Sequence, residues 1–133
     1  MADSNSKLYK EKIIDHYKNP RHFGTLKREK YKAQVVNSTC GDEVTVYLKE
    51  KRGKISDVAF KGSGCAISLA GMSMLSEKLI GMPTEEVEAL EDGYMLGMLG
   101  MDSKSPRIKC AVLGLGAVKR AISGGEDDPC DFC

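Results

Sequence analysis

Three cysteines and one aspartate are the residues of this 133-residue chain whose types best suit a metal or sulfur site. Cys40 and Asp42 flank a glycine, Cys65 follows the glycine-rich segment 62–64, and Cys110 follows a basic segment. Thiolates are soft ligands, whereas a carboxylate is a hard one. Three thiolates and a carboxylate can fill the coordination of a metal ion or a small cluster. The mixed ligand set indicates a site that releases what it binds.

The setting of these cysteines matters more than their spacing. No Cys-x-x-Cys pair occurs among the three, so the ligand spacing of zinc fingers is absent. A single cysteine in a cytosolic protein is most often a small buried hydrophobe. Cys65 and Cys110, however, lie at predicted helix N-termini, where the partial positive charge favours the thiolate. Arg107 and Lys109 would lower the pKa of Cys110 further. Together these features favour a functional site.

Length and composition predict one globular domain that spans residues 1–133. The chain has 20 basic and 19 acidic residues and a net charge of +1, so no overall field favours nucleic acid or a membrane surface. No apolar run approaches the roughly 20 residues of a spanning helix, and the N-terminus lacks the apolar core of a signal peptide. We therefore expect a cytoplasmic protein, whose five cysteines are more often ligands or nucleophiles than disulfides.

The hydrophobic pattern predicts an α+β fold, a three-stranded antiparallel sheet with helices packed on one face. An extra N-terminal helix is expected over 7–18, where Asn19-Pro20 ends it. Alternating patterns predict three strands: 33–39, 43–50 and 55–61. Helical patterns follow in three segments: 66–80, a start near 83–86, and 107–123. The segment 93–101 is ambiguous, and residues 1–6 and 126–133 are expected to be flexible tails.

Strand order gives a reason for the cysteines to meet. In a three-stranded antiparallel meander, the first connection and the end of the third strand lie at the same end of the sheet. The first connection contains Cys40, and Cys65 lies where the third strand gives way to a helix. Cys110 joins them if the last helix packs on the sheet.

At these motifs the sequence resembles the U-type iron–sulfur cluster assembly scaffolds, the family of IscU, SufU and the NifU N-terminal domain. The matching segments lie along most of the chain: 14–24 (IDHYKNPRHFG), 40–42 (CGD), 62–68 (GSGCAIS), 73–74 (SM) and 109–110 (KC). The resemblance implies a scaffold, not an enzyme. On it a transient 2Fe-2S cluster is built from iron and from persulfide sulfur that a cysteine desulfurase delivers. The cluster then passes to acceptor apoproteins.

The resemblance also implies the ligands and their roles. Cys40, Asp42, Cys65 and Cys110 would bind the cluster, and Cys110 or Cys65 would accept the sulfur. Asp42 would keep the cluster labile, and its replacement by alanine is typically used in the family to trap the cluster. Zinc can occupy the same site in this family. A homodimer is left open.

Two departures from the IscU pattern keep an alternative open. Lys109 stands where that branch has histidine, and the segment 103–108 replaces its Leu-Pro-Pro-Val-Lys chaperone-docking motif, so we expect no dedicated Hsp70 partner. Arg107 and Lys109 resemble the SufU branch, which implies a zinc-dependent sulfurtransferase, although the insertion typical of that branch is absent. A third hypothesis is a small interaction domain that zinc stabilises.

Other candidate residues have simpler interpretations. Cys130 and Cys133 form a Cys-x-x-Cys pair in the acidic tail, to which we assign an accessory role. His16 and His22 are interpreted as surface or loop histidines, with His22 a candidate partner contact. The methionines are interpreted as adaptable core or interface packing.

Overall fold

The computed structural model describes residues 2–38, 41–124 and 130–131, with side chains described over 9–38 and 41–124. The chain forms a small sheet and several helices in an α+β arrangement, as the sequence predicts. The elements follow in this order: α1 (Ala2–Lys18), β1 (Tyr31–Asn37), β2 (Asp42–Lys51), β3 (Lys54–Ser63), α2 (Ala66–Leu79), α3 (Thr84–Ala89), α4 (Asp92–Leu99), α5 (Ile108–Ile122) and β4 (Cys130–Asp131).

The sheet is an antiparallel meander of β1, β2 and β3, which confirms the predicted sheet. Its register pairs Asn37 at the end of β1 with Asp42 at the start of β2. It also pairs Glu43 of β2 with Ser63 at the end of β3. The first connection and the end of β3 therefore lie at the same end of the sheet. The short strand β4 extends the sheet by pairing in parallel with β1, and the strand order is β3-β2-β1-β4.

One face of the sheet forms the core. Its inward-facing side chains are almost fully buried: Ala33, Val35, Val44, Val46, Leu48, Val58 and Phe60. Helix α5 packs on β1 and β2, whereas α2 packs on β3. Burying one such large apolar side chain contributes about 1.5–3 kcal/mol. The buried side chains of the three strands share one face of the sheet, and both α2 and α5 pack on that face.

Helices α2 and α5 also pack closely against each other. Gly114 lies at the contact, where a Cβ atom would come 2.8 Å from Sδ and 3.2 Å from Cα of Met72. Real Cβ atoms essentially never come closer than 3.0 Å to a neighbouring heavy atom. The absence of a side chain at this position therefore sets the separation of the two helices. Helix α1 packs on α2 rather than on the sheet.

The structure assigns regular secondary structure in three segments where the sequence pattern does not predict it. Helix α1 begins at Ala2, so most of the segment 1–6 that was expected to be a tail is helical. The ambiguous segment 93–101 falls largely in α4, which ends at Gly100 in the left-handed conformation (φ 68°). Within the expected tail 126–133, Cys130–Asp131 pair with β1 because the backbone edge of that strand is open to them. Residues 125–129 and 132–133 lie outside the described part.

No helix in the described part of the chain is long and apolar enough to cross a membrane.

Candidate metal and sulfur site

Three elements end or begin at one place and bring together two thiols and a carboxylate. Asp42 is the first residue of β2, Cys65 precedes the first residue of α2, and Cys110 lies in the first turn of α5. One ligand atom of each, two Sγ atoms and a carboxylate oxygen, lie within 4.8 Å of one another. Asp42 and Cys110 are buried, whereas Cys65 is partly exposed. Cys40, the fourth predicted ligand, lies outside the described residues.

Gly64 and Cys65, which lead into α2, fix the position of the Asp42 carboxylate. Its Oδ1 accepts a hydrogen bond from the backbone N–H of Cys65 at 3.0 Å, and its Oδ2 lies 3.9 Å from the Cys65 Sγ. Gly64 has a φ of +150°, and a Cβ at this position would overlap the Asp42 carboxylate. A glycine is therefore required between β3 and α2 for the carboxylate to reach Cys65.

Cys65 has a pKa below the ordinary value of a thiol. Its burial raises the pKa, and so does the negative charge of Asp42, but hydrogen bonds outweigh both. The lowering comes from the backbone N–H and the hydroxyl of Ser68 and from the Cys110 thiol. The Ser68 Oγ lies 3.7 Å from the Cys65 Sγ. The first turn of α2 thus favours the thiolate, as expected for a cysteine at a helix N-terminus.

Cys110 is 3% exposed, and two basic residues of the segment before it, Arg107 and Lys109, are exposed. Arg107 precedes the first residue of α5, so its charge lies at the N-terminus of that helix. This arrangement places cationic side chains on the surface beside the buried thiol. That they lower the pKa of Cys110 stays a prediction.

Sequence reasoning missed one residue next to this site. Asn37 is 2% exposed, it is the register partner of Asp42, and its Nδ2 has no hydrogen-bond acceptor among the described residues. The signal was present in the sequence. Asn37 continues the inward-facing row of Ala33 and Val35, so a polar side chain falls in a core position.

The interpretation of His16 as a surface or loop histidine is wrong. His16 lies on α1 but is 4% exposed, and its Nδ1 is 2.7 Å from the Ser73 Oγ of α2. Ser73 Oγ also accepts the backbone N–H of Arg21 at 2.8 Å, which leaves its own proton to donate to Nδ1. Burial and the charge of Arg21 lower the pKa of His16 despite the opposing charges of Glu77 and Asp15. His16 therefore joins α1 to α2.

His22 and the methionines are placed as the sequence indicates. His22 is exposed in the loop after α1, with a φ of 60°, and its Nδ1 lies 3.0 Å from Ser76 Oγ. Six methionines contribute to the core or pack against it: Met72, Met74, Met82, Met95, Met98 and Met101.

The Cys-x-x-Cys pair of the tail remains untested. Cys133 lies outside the described residues, and only the backbone of Cys130 is described, in β4. The accessory role of this pair stays a prediction.

Fold and site together define a small α+β domain with a candidate metal or sulfur site at one end of its sheet. The chain belongs to the family of NifU-like N-terminal domains, which matches it over residues 8–127. This finding confirms the resemblance read from the motifs.

Relatives with two different names match most of the chain. The iron–sulfur cluster assembly scaffold protein IscU of Streptococcus pyogenes serotype M1 is 36% identical, over 86% of this chain and 82% of that protein. The zinc-dependent sulfurtransferase SufU of Bacillus subtilis strain 168 is 29% identical, over 90% and 92%. A crystal structure from Fervidobacterium islandicum AW-1 is described as a proposed cluster assembly scaffold for the SUF system. It superposes with a TM-score of 0.74 at 29% identity, over 84% of this chain and 94% of that one.

Proposed function

We propose that this protein is a scaffold on which a 2Fe-2S cluster is assembled from iron and desulfurase-derived sulfur, for transfer to acceptor apoproteins. The observation that carries the proposal is the gathering of Asp42, Cys65 and Cys110 within 4.8 Å, in a chain of this family. Several relatives at 30% identity or more are named iron–sulfur cluster assembly scaffold proteins, which supports the scaffold role. The cluster is the cargo, and we expect the protein to carry it in the cytoplasm as a single domain over 1–133.

The donor set fits such a cargo. Cys65 and Cys110 supply soft sulfur ligands, and Asp42 supplies a hard oxygen that binds iron less strongly than a sulfur ligand in its place would. We place Cys40 as the remaining ligand. Cys65, partly exposed and with a lowered pKa, is accessible to a persulfide donor, whereas Cys110 is buried. Sulfur therefore enters more readily at Cys65 than at Cys110, and a cysteine desulfurase is the expected partner.

A zinc-dependent sulfurtransferase is the second candidate. The SufU relative bears that name, and this chain presents Arg107 and Lys109 as exposed cations directly before Cys110. Zinc takes four ligands in structural and catalytic sites, and two thiolates and a carboxylate suit it. In this case Asp42, Cys65 and Cys110, with Cys40, would hold zinc, and a cysteine would pass the sulfur on.

Anaerobic reconstitution with iron, cysteine and a desulfurase tests the scaffold proposal. We expect the visible absorption of a 2Fe-2S cluster, with slower transfer to an acceptor apoprotein for Asp42→Ala. Absence of that absorption in both the wild type and Asp42→Ala would contradict the scaffold. Metal analysis of protein purified without oxygen separates the candidates. Stoichiometric zinc, with desulfurase stimulation lost in Cys110→Ser, would favour the sulfurtransferase.

The same samples address the third hypothesis, a zinc-stabilised interaction domain. It predicts that removal of zinc unfolds the protein and that no desulfurase binds. Folded protein after chelation, with desulfurase binding retained, would exclude it.

A further inference from the structure

The carboxamide of Asn37 is a buried donor that the described part of the chain leaves without an acceptor. The residue is 2% exposed, and Nδ2 makes no hydrogen bond to any described residue. Buried amide nitrogens are nearly always paired, because an unpaired one keeps its full desolvation cost. The feature therefore indicates an acceptor that arrives when the protein is loaded.

Asn37 lies where such an acceptor would be held. It ends β1 and pairs with Asp42 across the sheet. Side chains of directly opposite residues have their Cβ atoms about 4.5–5.5 Å apart. Asn37 and Asp42 are both buried at the same end of the core layer, and α5, which carries Cys110, packs on β1. The Asn37 carboxamide thus lies between the sheet and α5, in the same buried core layer as the candidate ligands Asp42 and Cys110.

We infer that the Asn37 carboxamide donates a hydrogen bond to an anionic sulfur of the loaded site, a thiolate of Cys65 or Cys110 once metal has replaced its proton. A neutral thiol is a weak acceptor, whereas an anionic one accepts a charge-assisted bond about twice as strong as a neutral one. Asn37 then has no acceptor among the described residues of the metal-free protein and gains one after loading. The inference rests on the proposed function only in that the site takes up a metal ion.

This positioning role predicts effects of opposite sign in the two states. Replacing Asn37 by an apolar residue removes an unpaired donor from the metal-free protein, so its stability should rise or stay unchanged. The same replacement removes a bond from the loaded protein, so metal should bind less tightly. A purely structural asparagine, already paired, would lower stability in both states.

The test compares Asn37→Leu with the wild type, using zinc alone as the probe. We expect a melting temperature of the metal-free variant equal to or above that of the wild type, and zinc binding weakened about tenfold, the lower end of the effect of lost outer-shell partners. Gln34→Leu is the matched control, since Gln34 lies on the same strand but on the opposite face. It should leave zinc affinity unchanged. Should Asn37→Leu fail to fold, Asn37→Val, with the β-branched side chain that strands favour, gives the same comparison.

Two results would overturn the inference. Equal zinc affinity in Asn37→Leu and the wild type would show that the donor does not contact the loaded site. A lower melting temperature of the metal-free variant would show that Asn37 is already paired. Wild-type protein that binds no zinc at all would instead contradict the metal site of the proposed function. The two failures are therefore distinguishable.

Discussion

At the scale of single residues, Gly64 decides whether the carboxylate can join the two thiols. Its φ of +150° and the space that Asp42 occupies beside its Cα leave no room for a side chain. We expect Gly64→Ala to displace the Asp42 carboxylate and to weaken metal binding at least tenfold, because the ligands lose their fixed orientation. Zinc titration monitored by a competing chelator measures the change.

Gly53→Ala is the matched control for Gly64→Ala. Gly53 also has a positive φ (77°), but a Cβ there meets no atom within 4 Å. Both variants should lose stability through backbone strain, by about 1 kcal/mol or somewhat more. Equal zinc affinities in the two variants would show that the Asp42 contact does not shape the site.

Asp42 has a structural contact in addition to its proposed ligand role, and two substitutions separate them. In the wild type, Asp42 Oδ1 accepts a hydrogen bond from the Cys65 backbone N–H at 3.0 Å. Asp42→Asn keeps an oxygen that can accept this bond, whereas Asp42→Ala leaves the donor unpaired. We expect the metal-free Asp42→Ala protein to be less stable than Asp42→Asn by about 1 kcal/mol. Urea denaturation of both variants measures this difference. Equal midpoints would mean that the hydrogen bond does not hold the start of α2.

At the scale of elements, the junction of α1 and α2 depends on a histidine that must stay neutral. The pKa of His16 lies below its ordinary value of 6.5, first because the ring is buried and then because Arg21 is cationic. At a pH between the two pKa values, His16 is therefore protonated in the unfolded chain and neutral in the folded one. The contribution of neutral His16 to the free energy of unfolding is complete above about pH 6.5, and it is lost as the pH falls from there toward the lowered pKa.

We therefore expect the free energy of unfolding to decrease below pH 6.5, and His16→Gln to show a flatter profile over that range. The control is His22→Gln, because His22 is exposed and bonds to Ser76 rather than to Ser73. Denaturant titrations between pH 5 and pH 8 provide the measurement. A wild-type profile that is flat below pH 6.5, or one that His16→Gln leaves unchanged, would contradict this role.

Most elements could be predicted because their apolar residues repeat with a clear period. The alternation of Val44, Val46 and Leu48 predicts β2, and antiparallel order then places the start of β2 beside the end of β3. The glycine- and methionine-rich sequence of α4 has no such period and is ambiguous between helix and loop. Strand β4 has only two residues, Cys130–Asp131, so periodicity cannot reveal it.

That Asp42 and Cys65 lie together could be predicted from the sequence, whereas some of the contacts around them could not. The proximity of Cys65 and Asp42 follows from motif and topology, whereas the burial of His16 depends on a neighbour far away in sequence. His16 is buried because Ser73 of α2 supplies its partner. Asn37 is buried because the core face of β1 continues to the last residue of the strand. The alternation of β1 indicates the burial of Asn37, whereas the partner of His16 is not visible in the local sequence.

At the scale of the whole molecule, the site exists because two helices bring their first turns together. Cys65 precedes α2 and Cys110 lies in the first turn of α5, so the distance between their sulfurs follows the packing of α2 on α5. Gly114 of α5 lies in that packing, against Met72 of the facing helix. The position lies one turn after Cys110, near enough for a shift of α5 to reach the thiol.

Gly114→Ala should therefore weaken metal binding, although Gly114 is not one of the candidate ligands. The Cα of Met72, 3.2 Å from the added Cβ, is backbone that must move, so we expect α5 to shift away from α2 and zinc to bind several times more weakly. Gly116→Ala is the matched control in the same helix, because its Cβ meets no atom within 4 Å. Both changes gain about 1 kcal/mol of helix propensity, and only Gly114→Ala offsets this by overpacking of about 1–3 kcal/mol. Thermal unfolding should thus rank Gly116→Ala above Gly114→Ala, with zinc affinity reduced only in the latter. Equal zinc affinities would show that the distance between the thiols is set by the sheet rather than by the contact of the two helices.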